Sequence, residues 1–156
     1  MHRVPVLWRA HRIHHADLLV DVTTAYRQHP IETGLRFGVM AATAWALGLP
    51  AATVAAYRLL SALNALLEHA NLRVRPRLDA WCSLLVCTPH MHKIHHSRRQ
   101  TQTDSNYGNI LSAFDRLFGT FHPTEPSAHV TYGLDPYCTP EAQRLPTLLS
   151  LPFQKA

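Results

Sequence analysis

Two stretches of this sequence write the same pattern of chemistry-bearing residues. His11-Arg12-Ile13-His14-His15 and His92-Lys93-Ile94-His95-His96 both read HxxHH, about eighty residues apart. On a helix, positions i, i+3 and i+4 share a face, so each motif projects three imidazoles toward one point while Arg12 or Lys93 points elsewhere. A neutral imidazole offers one lone pair to a metal ion, and its other nitrogen donates to a neighbouring acceptor. Six such rings oversupply a single structural zinc ion, which takes four ligands, so the pattern implies two ions. Soluble dinuclear bundles use Glu-x-x-His carboxylates. Here Asp17, Asp21 and Asp104 lie beside the motifs and not within them, so the expected ligand set is all nitrogen.

These triads need helices to carry them and a scaffold to bring them together. Thr88-Pro89 suits the start of the second carrier, with threonine as N-cap and proline at the first helical position. Residues 1 to 34 are polar and rich in His and Arg, whereas residues 35 to 67 form an apolar stretch broken mainly by Arg36, Pro50, Arg58 and Asn64. Gly48 and Pro50 divide that stretch into two helices of about fifteen residues joined by a tight turn. Each is shorter than the roughly 20 residues of a perpendicular membrane span, which leaves either two buried core helices or a hairpin dipping into one leaflet. Arg73 to Arg77 is a basic loop suited to solvent or lipid headgroups, and Leu78 to Val86 carries apolar residues at helical spacing. After Asp104 the chain is punctuated by Asn, Gly and Asp, and the proline-rich end reads as an irregular, loosely packed tail.

Composition narrows the field. With 156 residues, 47% hydrophobic and 16% charged, the chain fits one domain with enough apolar material for a core. Its twelve histidines outnumber Phe and Tyr combined. A net charge of +5 permits an anionic partner, yet the basic residues are scattered, with no aromatic platform for nucleic acid. Cys82, Cys87 and Cys138 form no CxxC pair, which argues against a disulfide scaffold and for a reducing setting. The first residues lack the apolar run and cleavage site of a secretory signal. No GxGxxG or CxxCH marks a nucleotide or haem site. His122 and His129 belong to no motif.

In combination these stretches resemble the fatty acid hydroxylase and sterol desaturase superfamily of membrane-bound, histidine-rich dimetal oxygenases. The likeness is carried by HRVPVLWRAHRIHH at residues 2 to 15, His29-Pro30-Ile31-Glu32, and the apolar hairpin followed by Glu68-His69-Ala70-Asn71-Leu72. It continues through Thr88 to Ser97, then Asp104-Ser105-Asn106-Tyr107-Gly108 and Asp115 to Thr120, all in the family's order. The resemblance implies metal ligation by His11, His14, His15, His92, His95 and His96, and adds His2, from the family's first motif, and His69, which follows the hairpin. His29 and His90 are expected to pack or to support ligands. The first histidine of the family's opening motif would lie upstream of Met1, so the sequence is expected to be N-terminally truncated, either as a fragment or as a shortened member.

The resemblance further implies an all-α, membrane-associated helical bundle, with the apolar hairpin, two metal-bearing HxxHH helices and an irregular C-terminal tail. Residues 1–123 form the catalytic domain and residues 124–156 the tail. The implied activity is dioxygen-dependent hydroxylation or desaturation of a lipid C–H bond at two irons, for which zinc can substitute, with electrons from a separate donor protein. The metal site is expected to face the cytoplasm, and the hairpin to contact the membrane and the lipid substrate. Asp104, Asn106 and Asp115 are expected either to orient ligands or to cap helices and form turns. The alternative from another class is a non-catalytic zinc-binding remnant; a dizinc hydrolase would call for carboxylates that the motifs lack.

Overall fold

In the computed structural model, residues 1–124 and 130–154 are described; His129 lies outside them. The described residues fold into eight α-helices, two short 3-10 helices (Thr24–Tyr26 and Leu151–Phe153) and no strand, the sole β feature being an isolated bridge between Val86 and Leu111. The helices are α1 (Pro5–His15), α2 (Pro30–Ala46), α3 (Ala51–His69), α4 (Pro76–Cys82), α5 (Pro89–His95), α6 (Gln100–Thr103), α7 (Ala113–Leu117) and α8 (Leu145–Ser150). The all-α expectation therefore holds.

Their boundaries follow local chemistry. Proline occupies the first turn of α1, α2, α4, α5 and α8, where a missing N–H costs nothing. Thr88 caps α5 as expected, its Oγ1 accepting the Met91 N–H at 3.3 Å. His29 caps α2 through Nδ1, which accepts the Ile31 N–H at 3.1 Å. The hairpin turn also forms as expected: α2 stops at Ala46, Gly48 takes φ +60°, and Pro50 precedes α3. Both arms run longer than the sequence suggests, 17 and 19 residues, because the polar stretches holding Glu32 and Glu68-His69 join the same helices. Helix α4 starts earlier, at Pro76, and ends at Cys82, giving way to turns before Val86.

Polarity is distributed inside out. The buried side chains of α2 and α3 are Glu32, Glu68 and His69, while Phe37, Val39, Leu59 and Leu63 are exposed and Trp45 is 87% exposed. Among the described residues, 35 to 67 are thus not buried core helices: none of their apolar side chains is among the buried ones. No helix among the described residues is long and apolar enough to cross a membrane.

The apolar core lies behind α1 and draws on the C-terminal residues. Ile13 and Ala16 pack with Leu148 and Leu151, flanked by Leu134 and Tyr137. The expectation of an irregular, loosely packed tail is corrected here. Arg12, turned away from the histidine face, donates to the Leu151 carbonyl and, at 3.0 Å, to that of Gln154, and lies over the Tyr137 ring. Gln143 donates to Ala16 O at 2.9 Å, and His29 Nε2 to Leu149 O at 3.2 Å. Pro136 and Pro140 sit in turns and Pro146 and Pro152 at helix starts, and Leu148 and Leu151 fill the space against α1.

Candidate metal centre

All eight histidines singled out from the sequence meet in one place, in two groups of four. His2, His11, His15 and His95 form quartet A; His14, His69, His92 and His96 form quartet B. Within each, one nitrogen per ring lies within 4.8 Å of the others. Seven of the eight residues are at most 7% exposed, and the His2 side chain is 4% exposed.

Each HxxHH triad splits between the two groups instead of converging on one point. Along a helix, i+4 lies about 40° to one side of i and i+3 about 60° to the other. His11 and His15 therefore face quartet A while His14 faces quartet B. In the second motif His92 and His96 face quartet B and His95 faces quartet A. The two helices contribute reciprocally, two rings to one group and one to the other. Helix α3 packs against α5 and delivers His69, while Lys93, on the other side of α5, donates to Asn71 Oδ1 at 2.6 Å.

The tautomers follow from the outer hydrogen bonds. His69 Nδ1 is 2.7 Å from Ala65 O and His95 Nδ1 is 2.7 Å from Ser105 O. A carbonyl only accepts, so both Nδ1 atoms carry the proton and both Nε2 atoms present bare lone pairs inward. His11 Nδ1 donates likewise to Glu32 Oε1 at 2.9 Å. The inward atoms crowd one another: His92 Nε2 is 3.0 Å from His69 Nε2, His96 Nε2 is 3.1 Å from His92 Nε2, and His15 Nε2 is 3.2 Å from His11 Nε2. At His11 and His15, whose Nδ1 protons go to Glu32 and Thr103, two bare lone pairs face each other in a buried space and repel unless a cation lies between them. Both nitrogens of His2 and Nδ1 of His14 are buried without a hydrogen-bond partner. The residues present thus fit a pair of metal ions.

Protonation does not resolve the crowding. Burial, reinforced by neighbouring imidazoles, holds His14, His15, His92 and His96 well below the ordinary imidazole range. Burial likewise lowers His2 to about 2 and His95 to about 3. These six rings are neutral at pH 7, the state a metal requires.

The surroundings hold residues whose part the sequence did not disclose. Glu32 is fully buried and its Oε1 serves both His11 and, at 3.6 Å, Arg36 Nη1. Glu68 Oε1 lies 3.7 Å from His92 Nδ1, and Thr103 Oγ1 lies 3.4 Å from His15 Nδ1. Glu32 and Glu68 each stand within a quoted sequence element, but only their zero and 3% exposure mark them as ligand supports. Of the three residues expected to orient ligands or shape turns, Asp104 lies 3.5 Å from His2. Asn106 and Asp115 do the second job: Asn106 binds Met91 O and the His122 backbone, and Asp115 accepts from Tyr107 N, Gly108 N and Thr120 Oγ1. His29 spans α2 and the C-terminal residues with both nitrogens, and His90 lies 3.5 Å from Asp79, so neither joins a quartet.

A cavity of about 390 Å³ opens onto the quartets and is lined by six of the eight histidines, His15 and His96 lying behind them. It adjoins a groove of about 810 Å³ between α2 and α3, lined by Leu35, Phe37, Val39, Met40, Val54 and Tyr57 among others.

Comparison with known proteins places the chain beside lipid hydroxylases and monooxygenases. The fatty acid hydroxylase family profile matches residues 1–120. Ornithine lipid hydroxylase OlsE of Rhizobium tropici is 34% identical over 124 residues, covering 78% of this chain and 36% of that protein. The alkylglycerol monooxygenases of Xenopus tropicalis and Homo sapiens are 32% and 29% identical over 133 and 139 residues, covering 85% of this chain and 28% of theirs. The chain thus spans about a third of the length of the curated relatives it matches. No solved structure matches it.

Proposed function

The chain belongs to the fatty acid hydroxylase family, and on that premise we propose that it forms the histidine-rich centre of a dimetal oxygenase that hydroxylates a C–H bond of a lipid. The observation that carries this reading is the pair of all-imidazole quartets beside a cavity that continues into an apolar groove. His2, His11, His15 and His95 would hold one ion, and His14, His69, His92 and His96 the other. Two redox-active ions bound there, irons on this reading, supply the dioxygen chemistry needed to oxidise an unactivated C–H bond, which no side chain can do. The protein's own groups then have three tasks. The Ala65 and Ser105 carbonyls and the Glu32 carboxylate hold the Nδ1 protons and so aim Nε2 inward. Burial keeps the rings neutral and ready to ligate. The α2–α3 groove receives the apolar part of the substrate.

The exposed apolar faces of α2 and α3 support placement of this hairpin in a lipid leaflet, since monomeric proteins rarely leave so much contiguous apolar surface in water. Arg36 and Arg58 would snorkel toward headgroups, and Arg73, Arg75 and Arg77 would lie at an anionic cytoplasmic face, on the side where a separate electron-donor protein docks.

The test is metal analysis of the detergent-purified chain, followed by incubation with lipid, a reductant and isotopically labelled dioxygen. Two ions per chain and labelled oxygen in a lipid product are expected. Fewer than two ions in folded protein would overturn the dimetal reading. Bound zinc with no incorporation after iron reconstitution would favour a zinc-binding remnant.

A further inference from the structure

The histidine chamber and the α2–α3 groove differ in chemistry, and a short polar collar divides them. Gln28, Arg36 and Asn109 line both spaces, together with Met1, Ala25 and Ala65. Inward of them lie imidazoles, Arg3 and Glu68; outward, the groove runs along apolar side chains to Leu49 at the hairpin turn. From Arg36 to Ala46 helix α2 offers about 15 Å of length for that groove.

The collar carries unused hydrogen-bonding capacity. Asn109 donates through Nδ2 to Ser61 Oγ, and its Oδ1 is buried with no partner. An acceptor left in that state is destabilising, so it marks a place where a donor is missing. The Arg36 side chain is half exposed, and its ion-pair contact is the 3.6 Å approach of Nη1 to Glu32. Gln28 uses Nε2 on Ala25 O at 3.2 Å. Together these groups ask for a head with a donor for Asn109 Oδ1 and acceptor oxygens for Arg36.

We propose that Gln28, Arg36 and Asn109 anchor the polar head of a single-chain amphiphile whose tail lies outward in the α2–α3 groove, so that the carbon presented to the histidines is next to the head. This rests on the lipid reading above and adds the direction in which the lipid lies. The reverse orientation would push a methyl end into a chamber of imidazoles, arginine and glutamate and would leave Asn109 Oδ1 without a donor, while Arg58, the cation of the groove beyond Arg36, already lies over the Phe37 ring.

Photocrosslinking to the detergent-solubilised full chain reads the orientation without metal or turnover. The probes are hexadecanamides, whose head has an N–H donor and a carbonyl acceptor, carrying a diazirine either beside the carbonyl or at the methyl end. The first should label peptides at residues 25–36, 61–69 or 107–109, and the second peptides at residues 37–57. Asn109→Ala should weaken labelling by the head-proximal probe about tenfold, the loss of one hydrogen bond to a buried partner. Asn109→Asp, which keeps the acceptor, should restore it. The reverse pattern, equal labelling of both regions by both probes, or an unaffected Asn109→Ala would overturn the orientation while leaving the lipid reading in place. Absence of labelling by either probe would overturn the lipid reading and this inference with it.

Discussion

Glu32→Gln is the most searching perturbation of the metal centre, because it changes the charge beside one ligand while keeping the size and the acceptor. Glu32 is fully buried, accepts the His11 Nδ1–H at 2.9 Å, and belongs to the surroundings of quartet A alone. A hydrogen bond to a charged acceptor contributes about 1.5–3 kcal/mol and one to a neutral acceptor about 0.5–1.5, so the substitution removes about 1–1.5 kcal/mol of support for His11. That corresponds to about tenfold in the affinity of one ion, the lower end of the 10–100-fold cost of losing such outer partners. Quartet B should be unchanged. Glu32→Ala should cost a further 1–3 kcal/mol or so, since the His11 N–H is then left without an acceptor. Cobalt(II) titration against a calibrated chelator resolves the two binding steps. The reasoning fails if Glu32→Gln leaves both steps unaltered, or weakens both alike.

Because the triads divide between the quartets, His95→Ala and His14→Ala should each lose one ion and retain the other, while the outlying His122→Ala retains both; loss of both ions from either ligand variant, with the fold intact, would contradict the split. Metal-free protein should weaken in acid. His2 at about 2, His95 at about 3 and the fully buried His14, His15, His92 and His96 resist protonation when folded, whereas the unfolded chain takes up protons near pH 6.5, so stability is full above that pH and falls below it. Each such ring costs about 1.4 kcal/mol per pH unit between its unfolded and folded values, and a urea midpoint that does not move between pH 7 and pH 5 would refute this. Leu151→Ala, at a fully buried position against Ile13, should cost about 2–5 kcal/mol and lower the urea midpoint, in contrast to exposed Leu145→Ala; equal effects would show that the C-terminal residues do not brace α1.

Much of the centre was legible because helix periodicity is a local property. An HxxHH spacing places three rings on one stripe whatever surrounds it, and two copies announce two carriers. Thr88-Pro89 and Gly48-Pro50 mark helix ends for equally local reasons, through a side-chain cap, a missing N–H and a positive φ. Proline frequency suggests an irregular, loosely packed end, whereas Pro146 opens α8, whose Leu148, with the following Leu151, completes the core behind α1.

The sequence by itself determined six candidate imidazole ligands and the stripe they occupy on each helix, and the family resemblance added His2 and His69. Only the tertiary structure decided how the eight rings are shared. His11 and His14 stand three residues apart on one helix, yet they serve different groups, because the rings brought up on each side differ: His14 meets His69 and His96, and His11 meets His2 and His15. Burial was decided in the same way. Whether Glu32 is a surface charge or a fully enclosed acceptor for His11, and whether the apolar residues of α2 and α3 fill a core or face outward, depends on contacts between segments far apart in the chain, which no local spacing records.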